Sequence, residues 1–113
     1  MKTLKIEKMG IEVEKRIHDK GKRLSDIKIP KGWRLLRVEE MIYLFNNHEE
    51  ELNLSDTREF IKQPFKKFGD KFVAWFDAYS DWASLGCCRR PDNSSPALGV
   101  RFCRDIQKKK VKQ

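Results

Sequence analysis

Apolar and polar residues alternate at both ends of the chain, and a period of two is typical of β-strands. Residues 3–17 place single apolar residues between charged ones, with Gly10 in the middle, and residues 98–103 alternate in the same way. Residues 72–76 form a short apolar run of the kind found in buried strands. Gly10 is expected to make either a turn between two strands or a bulge in one. The pattern therefore predicts strands near both ends of the chain.

A helical pattern lies between these strands. Apolar residues recur there at i, i+3, i+4 and i+7, which is one face of an amphipathic helix. Glu39 and Glu40 stand in its first turn, where the helix dipole favours carboxylates, and Asn46-Asn47 is expected to end or bend it. The predicted buried face consists of Val38, Met41, Ile42 and Phe45.

A second helix is predicted after an acidic run. Asp56 followed by Glu59 matches a capping-box-like start. Phe60 and Ile61 would be buried in that helix, and Pro64 would end or kink it. The order of strands, helix, helix and strands indicates an α+β fold, with the helices grouped rather than alternating with the strands.

A chain of 113 residues, 39% of them hydrophobic, can form one core but not two. We expect one compact domain over residues 1–105, with two helices packed on a mainly antiparallel sheet, and a basic tail over residues 106–113. The sequence has no apolar run of about 18 residues and no signal-peptide pattern. A cytoplasmic location is the default expectation, with delivery to a surface by a partner left open.

The net charge of +8 is concentrated at the two ends of the chain. Residues 1–34 hold 11 basic and 5 acidic residues, residues 35–105 hold 10 basic and 12 acidic residues, and the tail adds four lysines. Such basic ends are usually solvated, but they also suit weak binding of nucleic acid. A small basic nucleic-acid-binding protein is therefore the alternative function.

The cysteines do not form a disulfide framework. Their number is odd, Cys87 and Cys88 are adjacent, and Cys103 is distant. A Cys88–Cys103 bridge is an alternative if the strands that carry them pair. A zinc site needs ligands at CxxC-type spacing, and neither His18 nor His48 stands at such a spacing from the cysteines. No metal or other cofactor is therefore expected. His18 is expected on the exposed surface.

Residues 72–106 have an unusual composition. These 35 residues contain no Lys, Glu, Gln or Met, whereas the other 78 residues contain 31 of them. Every basic residue in the segment is arginine, in a chain that otherwise prefers lysine. Strands and turns deplete some of these residue types, but exposed turns normally carry Lys and Glu. The unusual composition of the middle of the segment therefore indicates a cause other than folding.

Two segments resemble a known superfamily. Residues 32–45, GWRLLRVEEMIYLF, are similar to the G-W-R-L-P-T-x-E-E-W start of a helix in formylglycine-generating-enzyme-like modules. Residues 91–105, PDNSSPALGVRFCRD, resemble the closing strand of those modules, where Gly-[FV]-Arg is followed shortly by Arg-Asp. The chain departs from the pattern at Leu36 and Arg37, where Pro and Thr are usual. The matched region covers residues 29–105.

The resemblance implies a C-type-lectin fold, and the superfamily includes the variable ligand-binding proteins of diversity-generating retroelements. Such retroelements change adenines in Asn codons of the form AAC or AAT, which cannot yield Lys, Glu, Gln, Met or Trp. Over residues 77–97 every residue except Trp82 can arise in this way. The resemblance thus implies a non-catalytic protein with a hypervariable surface on a rigid scaffold. Its unknown ligand would be a protein or another macromolecular surface.

The expected ligand-facing side chains lie within residues 77–97. Tyr79 and Arg90 are expected to be the energetic anchors, because Tyr and Arg are enriched in binding hot spots. The residues assigned to the framework are Trp33, Trp82, Gly99, Val100 and Phe102. The expected variable set is Asp77, Tyr79, Ser80, Asp81, Ser84, Gly86, Cys87, Cys88, Arg90, Ser94, Ser95 and Ala97.

Two other functions of such folds match the sequence less well. Formylglycine-generating enzymes use two cysteines a few residues apart, whereas Cys87 and Cys88 are adjacent and would point to opposite faces of a regular strand. The chain is also less than half the usual length of those enzymes. The Glu-Pro-Asn and Trp-Asn-Asp runs of calcium-dependent sugar-binding lectins do not occur in the sequence. We therefore expect no catalysis.

Overall fold

The computed structural model describes residues 2–69, 71–79, 82–91 and 95–106, which form two antiparallel sheets and two helices. The helices are α1 (Val38–Asn47) and α2 (Glu49–Leu52). The strands are β1 (Thr3–Ile6), β2 (Ile11–Glu14), β3 (Arg34–Leu35), β4 (Asp56–Ile61), β5 (Val73–Tyr79), β6 (Trp82–Arg89) and β7 (Phe102–Asp105). The predicted α+β class is confirmed, and the single predicted sheet is corrected to two.

The four-stranded sheet has the order β1-β2-β7-β3 and joins the two ends of the chain. Gly10 separates β1 from β2 with a φ of 65°, a left-handed conformation that favours glycine. Ile6 pairs with Ile11 across this turn. The predicted N-terminal strands are therefore confirmed, and Gly10 forms a turn rather than a bulge.

The three-stranded sheet has the order β4-β5-β6 and carries much of the segment of unusual composition. β5 confirms the strand predicted near residues 72–76 and extends it to Tyr79. Residues 98–103 are a regular strand only in part, because Gly99 and Val100 make isolated bridges and β7 begins at Phe102.

Gly99 marks a close approach of two chain segments. A Cβ added at Gly99 would lie 2.6 Å from the carbonyl oxygen of His18. The Gly99 amide donates to the Arg58 carbonyl at 3.0 Å, and the Phe60 amide donates to the Gly99 carbonyl at 3.0 Å. Gly99 therefore connects the loop at His18 to the outer edge of β4.

The predicted second helix is wrong, because residues 56–61 form β4. Phe60 and Ile61 are both buried, as expected, but they lie on opposite faces of the strand and in different core clusters. Glu59 does not close a helix start. Its carboxylate is buried and accepts a hydrogen bond from Nε of Arg101 at 3.1 Å.

α1 spans the predicted segment, but its buried face is rotated from the predicted one. Leu44 is fully buried, whereas Ile42 is 44% exposed. Glu40 turns inward, where its two carboxylate oxygens accept hydrogen bonds from Arg34 at 2.8 Å each. Residues two apart are separated by about 200° around a helix, so the inward position of Glu40 leaves Ile42 in solvent.

The N-terminus of α1 is capped without the Thr that stands at this position in the pattern that residues 32–45 resemble. Arg37 stands at the cap position, and its backbone N–H donates to Oε1 of Glu40 at 2.8 Å. The helix therefore begins one residue after the arginine that departs from the superfamily pattern.

Two core clusters lie on opposite faces of the three-stranded sheet. The larger cluster joins the helices and the four-stranded sheet to the face that carries Ile61, Ala74 and Phe76. The smaller cluster packs Phe60 and Val73 of the other face against the segment leading into β7. The sheet is thus held from both sides over part of its length.

One expectation about a single residue is wrong, and one alternative left open by the sequence is not realised. His18 is half-buried rather than exposed: its Nε2 lies 2.7 Å from Oε1 of Glu14, and its ring packs edge-on against Phe102 at 5.0 Å between centroids. The alternative Cys88–Cys103 bridge is not formed, because both thiols are free and lie in different sheets.

None of the described helices is long and apolar enough to cross a membrane. Of the predicted basic tail, residues 107–113 lie outside the described part of the chain.

Candidate ligand-binding surface

β5 and β6 form a hairpin that carries several of the predicted ligand-facing residues. Residues paired across neighbouring strands lie on the same face of a sheet. One face of this hairpin carries the three pairs Tyr79 with Trp82, Asp77 with Ser84, and Trp75 with Gly86. We call the open part of it, Asp77, Tyr79, Trp82 and Ser84, the hairpin face.

The hairpin face continues a part of the same sheet face that is covered by the core. In that covered part Phe60 belongs to the smaller core cluster, and the partly buried Trp75 packs against it. At the open end Tyr79 is 59% exposed and Trp82 is 47% exposed. Leu85, on the other side of β6, is 41% exposed. A continuous sheet therefore carries large apolar side chains out of the core into solvent.

Polar side chains fix the row between the covered and the open ends. Oγ of Ser84 donates to Oδ1 of Asp77 at 2.8 Å across the two strands. Arg58 of β4 lies beside Asp77 in register, and Asp56 lies beside Tyr79. The open face thus extends onto β4 with one basic and one acidic residue, both exposed.

Gly86 is not suited to vary. A Cβ at this position would lie 2.2 Å from Cζ2 of the Trp75 ring, a distance that no real contact adopts. Any other residue at this position would force the Trp75 indole to move.

A bulge accommodates the adjacent cysteines. Val73 pairs with Arg89 and Trp75 pairs with Gly86, so one residue of β5 lies opposite both Cys87 and Cys88. The regular alternation expected for these cysteines is therefore broken at this point.

The bulge is held by Gln63. Its amide nitrogen donates to the carbonyl of Cys87 at 2.7 Å and to that of Phe72 at 3.2 Å. The side chain of Cys87 is half-buried against the larger core cluster, and burial raises its pKa, whereas Cys88 is exposed. Only Cys88 can contact a ligand freely.

The other predicted residues do not join the hairpin face. Arg90 is exposed, but it lies eight residues along the chain from Trp82, which is about 25 Å in a strand. The two predicted anchors, Tyr79 and Arg90, therefore lie at opposite ends of β6. Ser80, Asp81 and Ser94 lie outside the described residues.

Ser95 and Ala97 belong to a separate turn. The carbonyl of Ser95 accepts a hydrogen bond from the amide of Leu98 at 3.0 Å, and the carbonyl of Leu98 accepts one from Gly21 at 3.1 Å. Ala97 is exposed and Ser95 is half-buried. The turn packs against the loop at Gly21, so it offers a second, smaller exposed site.

Sequence reasoning missed three residues of the open face. Trp82 was expected in the framework, although it pairs directly with Tyr79 across the two strands and therefore shares the open face with it. Asp56 and Arg58 were missed because their segment was predicted as a helix.

The remaining framework residues lie as expected. Val100 and Phe102 are buried, and Trp33 is half-buried with the Arg104 guanidinium 4.8 Å above its ring.

Among residues 2–69, 71–79, 82–91 and 95–106, no group of three His, Cys, Asp or Glu side chains could hold a metal ion. Burial raises the pKa of the Cys103 thiol to about 12, so it is not a thiolate at neutral pH.

Comparisons with known proteins give no relatives. No family model matches the chain, and neither a curated protein nor a solved structure is similar to it.

Proposed function

We propose that the protein is a non-catalytic ligand-binding protein that displays a variable surface on a rigid, C-type-lectin-like α+β scaffold. The observation that carries this proposal is the open, aromatic hairpin face on a sheet that is anchored by core on both sides at its other end. Exposed aromatic clusters of this kind are typical of binding sites. Tyr and Trp are also the residues that most often dominate binding energy.

The expected ligand is a protein or another macromolecular surface. Small ligands bind in concave pockets, and two clefts of about 560 Å³ each are lined by neither Tyr79 nor Trp82. The hairpin face is smaller than the ~20–30 residues that a standard interface uses on each side. The contact surface would therefore extend to Asp56 and Arg58 on β4, which adjoin it.

Diversification by a retroelement fits the exposure of individual residues. Of the expected variable set, Tyr79, Ser84, Cys88, Arg90 and Ala97 are exposed, so replacing them does not disturb the core. Trp82 is the one residue of residues 77–97 that adenine changes cannot produce. It would act as a constant aromatic centre beside residues that vary.

A pair of matched libraries tests this proposal. The first randomises Tyr79, Ser84, Cys88 and Ala97 with NNC codons, and the second randomises four exposed positions elsewhere, Lys5, Lys8, Glu39 and Asn46. Both are displayed on yeast and selected against one purified target, maltose-binding protein. We expect the first library to stay folded and to yield micromolar or tighter binders that the second does not. Equal yields, or loss of protease resistance across the first library, would refute the proposal.

Nucleic-acid binding is the second candidate, and one cleft bears on it. A polar cleft of about 560 Å³ is lined by five basic residues and three acidic ones. The basic residues are Lys2, Lys15, Arg16, Lys20 and Arg101, and the acidic residues are Glu50, Glu51 and Asp56. The facing carboxylates would repel a phosphate chain. Low-micromolar binding of a single-stranded or duplex oligonucleotide at physiological salt, with a steep loss at higher salt, would favour this candidate over the hairpin proposal.

A further inference from the structure

A second cleft, of about 560 Å³, lies at the end of β5 opposite the hairpin face. We call it the apolar cleft. Its apolar lining includes Leu24, Leu35, Ile61, Phe65, Phe72 and Val73. Its volume is within the range of about 300–1,000 Å³ that small-molecule sites occupy. None of the expected ligand-facing residues lines it, so it is independent of the proposed function.

The walls of the apolar cleft are fixed before any ligand arrives. Oε1 of Gln63 accepts a hydrogen bond from the Phe65 amide at 3.1 Å, while its amide nitrogen donates to the Phe72 carbonyl at 3.2 Å. The rings of Phe65 and Phe68 lie 5.5 Å apart, and those of Phe68 and Phe72 lie 5.3 Å apart. A preformed site saves the entropy of ordering its walls on binding.

Phe65 is the one exposed apolar side chain among the described residues that line the cleft, with 52% of its surface in water. Ile61 and Val73, which line the same cleft, are buried. An apolar ligand that lay between them would therefore remove the exposed side of Phe65 from water, which is favourable in proportion to the area covered.

The charges at the apolar cleft are of one sign. Lys62 and Lys66 line it and are exposed, and among the described residues that line it none is acidic. No described carboxylate forms an ion pair with either lysine. Over residues 62–72 the sequence holds four lysines against one aspartate. The other polar groups of the lining are already used, because Ser25 donates to the Pro91 carbonyl at 3.4 Å and Gln63 is bonded as above.

We infer that the apolar cleft binds a small amphipathic anion, a carboxylate with an apolar body. The body would lie against Ile61, Phe65 and Val73, and the carboxylate would lie at the rim near Lys62 and Lys66. Charge complementarity makes a neutral analogue a weaker ligand at this site and an apolar cation weaker still.

A titration of the full chain with three ligands of equal length tests this inference. Octanoate, 1-octanol and octylammonium share one apolar chain and differ in charge, and binding is followed by ¹⁵N NMR. We expect octanoate to shift amides at Leu35, Ile61 and Val73 and to bind about tenfold more tightly than octanol, with octylammonium weaker still. Equal affinities for the three ligands would contradict the charge argument. Shifts confined to the hairpin face, or no shifts, would contradict the site.

Matched variants locate the charge effect. Lys62→Gln/Lys66→Gln should lower octanoate affinity about tenfold and leave octanol affinity unchanged. Lys5→Gln/Lys8→Gln removes the same charge from the N-terminal hairpin and should change neither. If the two double variants behave alike, the lysines of the apolar cleft do not bind the carboxylate and the inference fails.

A filled cleft provides the second check. Ser25→Trp places an indole at an exposed lining position, so the core is untouched. Binding of all three ligands should fall more than tenfold while the dispersion of the NMR spectrum is retained. Unchanged octanoate binding in this folded variant would overturn the assignment of the site.

Discussion

The guanidinium of Arg101 joins segments that are distant in sequence. Its Nε donates to Oε1 of Glu59 at 3.1 Å, and its Nη1 donates to the carbonyls of Glu14 at 3.0 Å and Lys15 at 2.8 Å. Nη2 donates to the carbonyl of Leu52 at 3.0 Å. One buried side chain thus connects β2, β4 and the end of α2 to the segment before β7.

Removing Arg101 should therefore be among the most costly single changes. Arg101→Met leaves the buried Glu59 carboxylate without its charge partner, and we expect a loss of about 3–5 kcal/mol in the free energy of unfolding. Arg101→Lys should recover little, because an ammonium lacks the planar fork that reaches these acceptors. Urea denaturation measures both. Arg104→Lys, at an exposed ion pair, is the control and should cost less than about 1 kcal/mol.

His18 is the residue whose protonation should affect stability near neutral pH. Burial alone would lower its pKa, but hydrogen bonds to Glu14 and Asp19 outweigh burial and raise the pKa above its ordinary value. A raised pKa in the folded state means that the folded protein holds the proton of His18 more tightly than the unfolded chain does. The stabilisation is complete below the unfolded pKa of about 6.5 and is lost as pH rises through the folded value.

The expected result is a stability difference that depends on pH. The free energy of unfolding of the wild type should exceed that of His18→Gln most at about pH 6 and by less at about pH 8. Urea denaturation of both proteins at several pH values measures this. His48→Gln, which removes another half-buried histidine, with its Nδ1 2.7 Å from Oε1 of Glu51, provides the matched control. A difference that grows with rising pH would contradict the assigned direction.

At the scale of elements, the hairpin combines positions that can change with positions that cannot. Gly86→Ala should cost about 1–3 kcal/mol, because the new methyl group overlaps the Trp75 ring. Ala83→Ser, at an exposed position of the same strand, should change the free energy of unfolding by less than about 0.5 kcal/mol. Thermal and urea unfolding distinguish the two. A tolerated Gly86→Ala would show that Trp75 does not fix the hairpin.

Elements were predictable from sequence where local pattern and tertiary packing agree. The N-terminal strands, α1 and β5 form where the apolar spacing of their own segments predicts them. β4 was missed because Asp56 and Glu59 match a helix start, while the true partner of Glu59, Arg101, is 42 residues away. The rotation of α1 was missed for the same reason, since a buried Glu40 depends on Arg34 from another element.

At the scale of the whole molecule, the sequence predicted a variable segment but not how its residues would be distributed. Tyr79 and Arg90 are only 11 residues apart in the sequence, but they lie beyond opposite ends of β6. Ser95 lies in a separate turn. Gly86 and Cys87 are partly enclosed by the framework. Such distances follow from strand geometry and from the bulge at the cysteines, neither of which composition reveals.

The central claim is that exposed hairpin residues vary while the frame beneath them does not. Sequencing the DNA around the gene tests it most directly. The claim predicts a near-copy of the codons for residues 72–106 beside a reverse-transcriptase gene, with adenine in the copy at the codons for Tyr79, Ser84, Cys88 and Ala97. The codons for Trp82, Gly86, Val100 and Phe102 should be identical in both. A locus without such a copy, or differences that fall on the buried residues, would contradict the account.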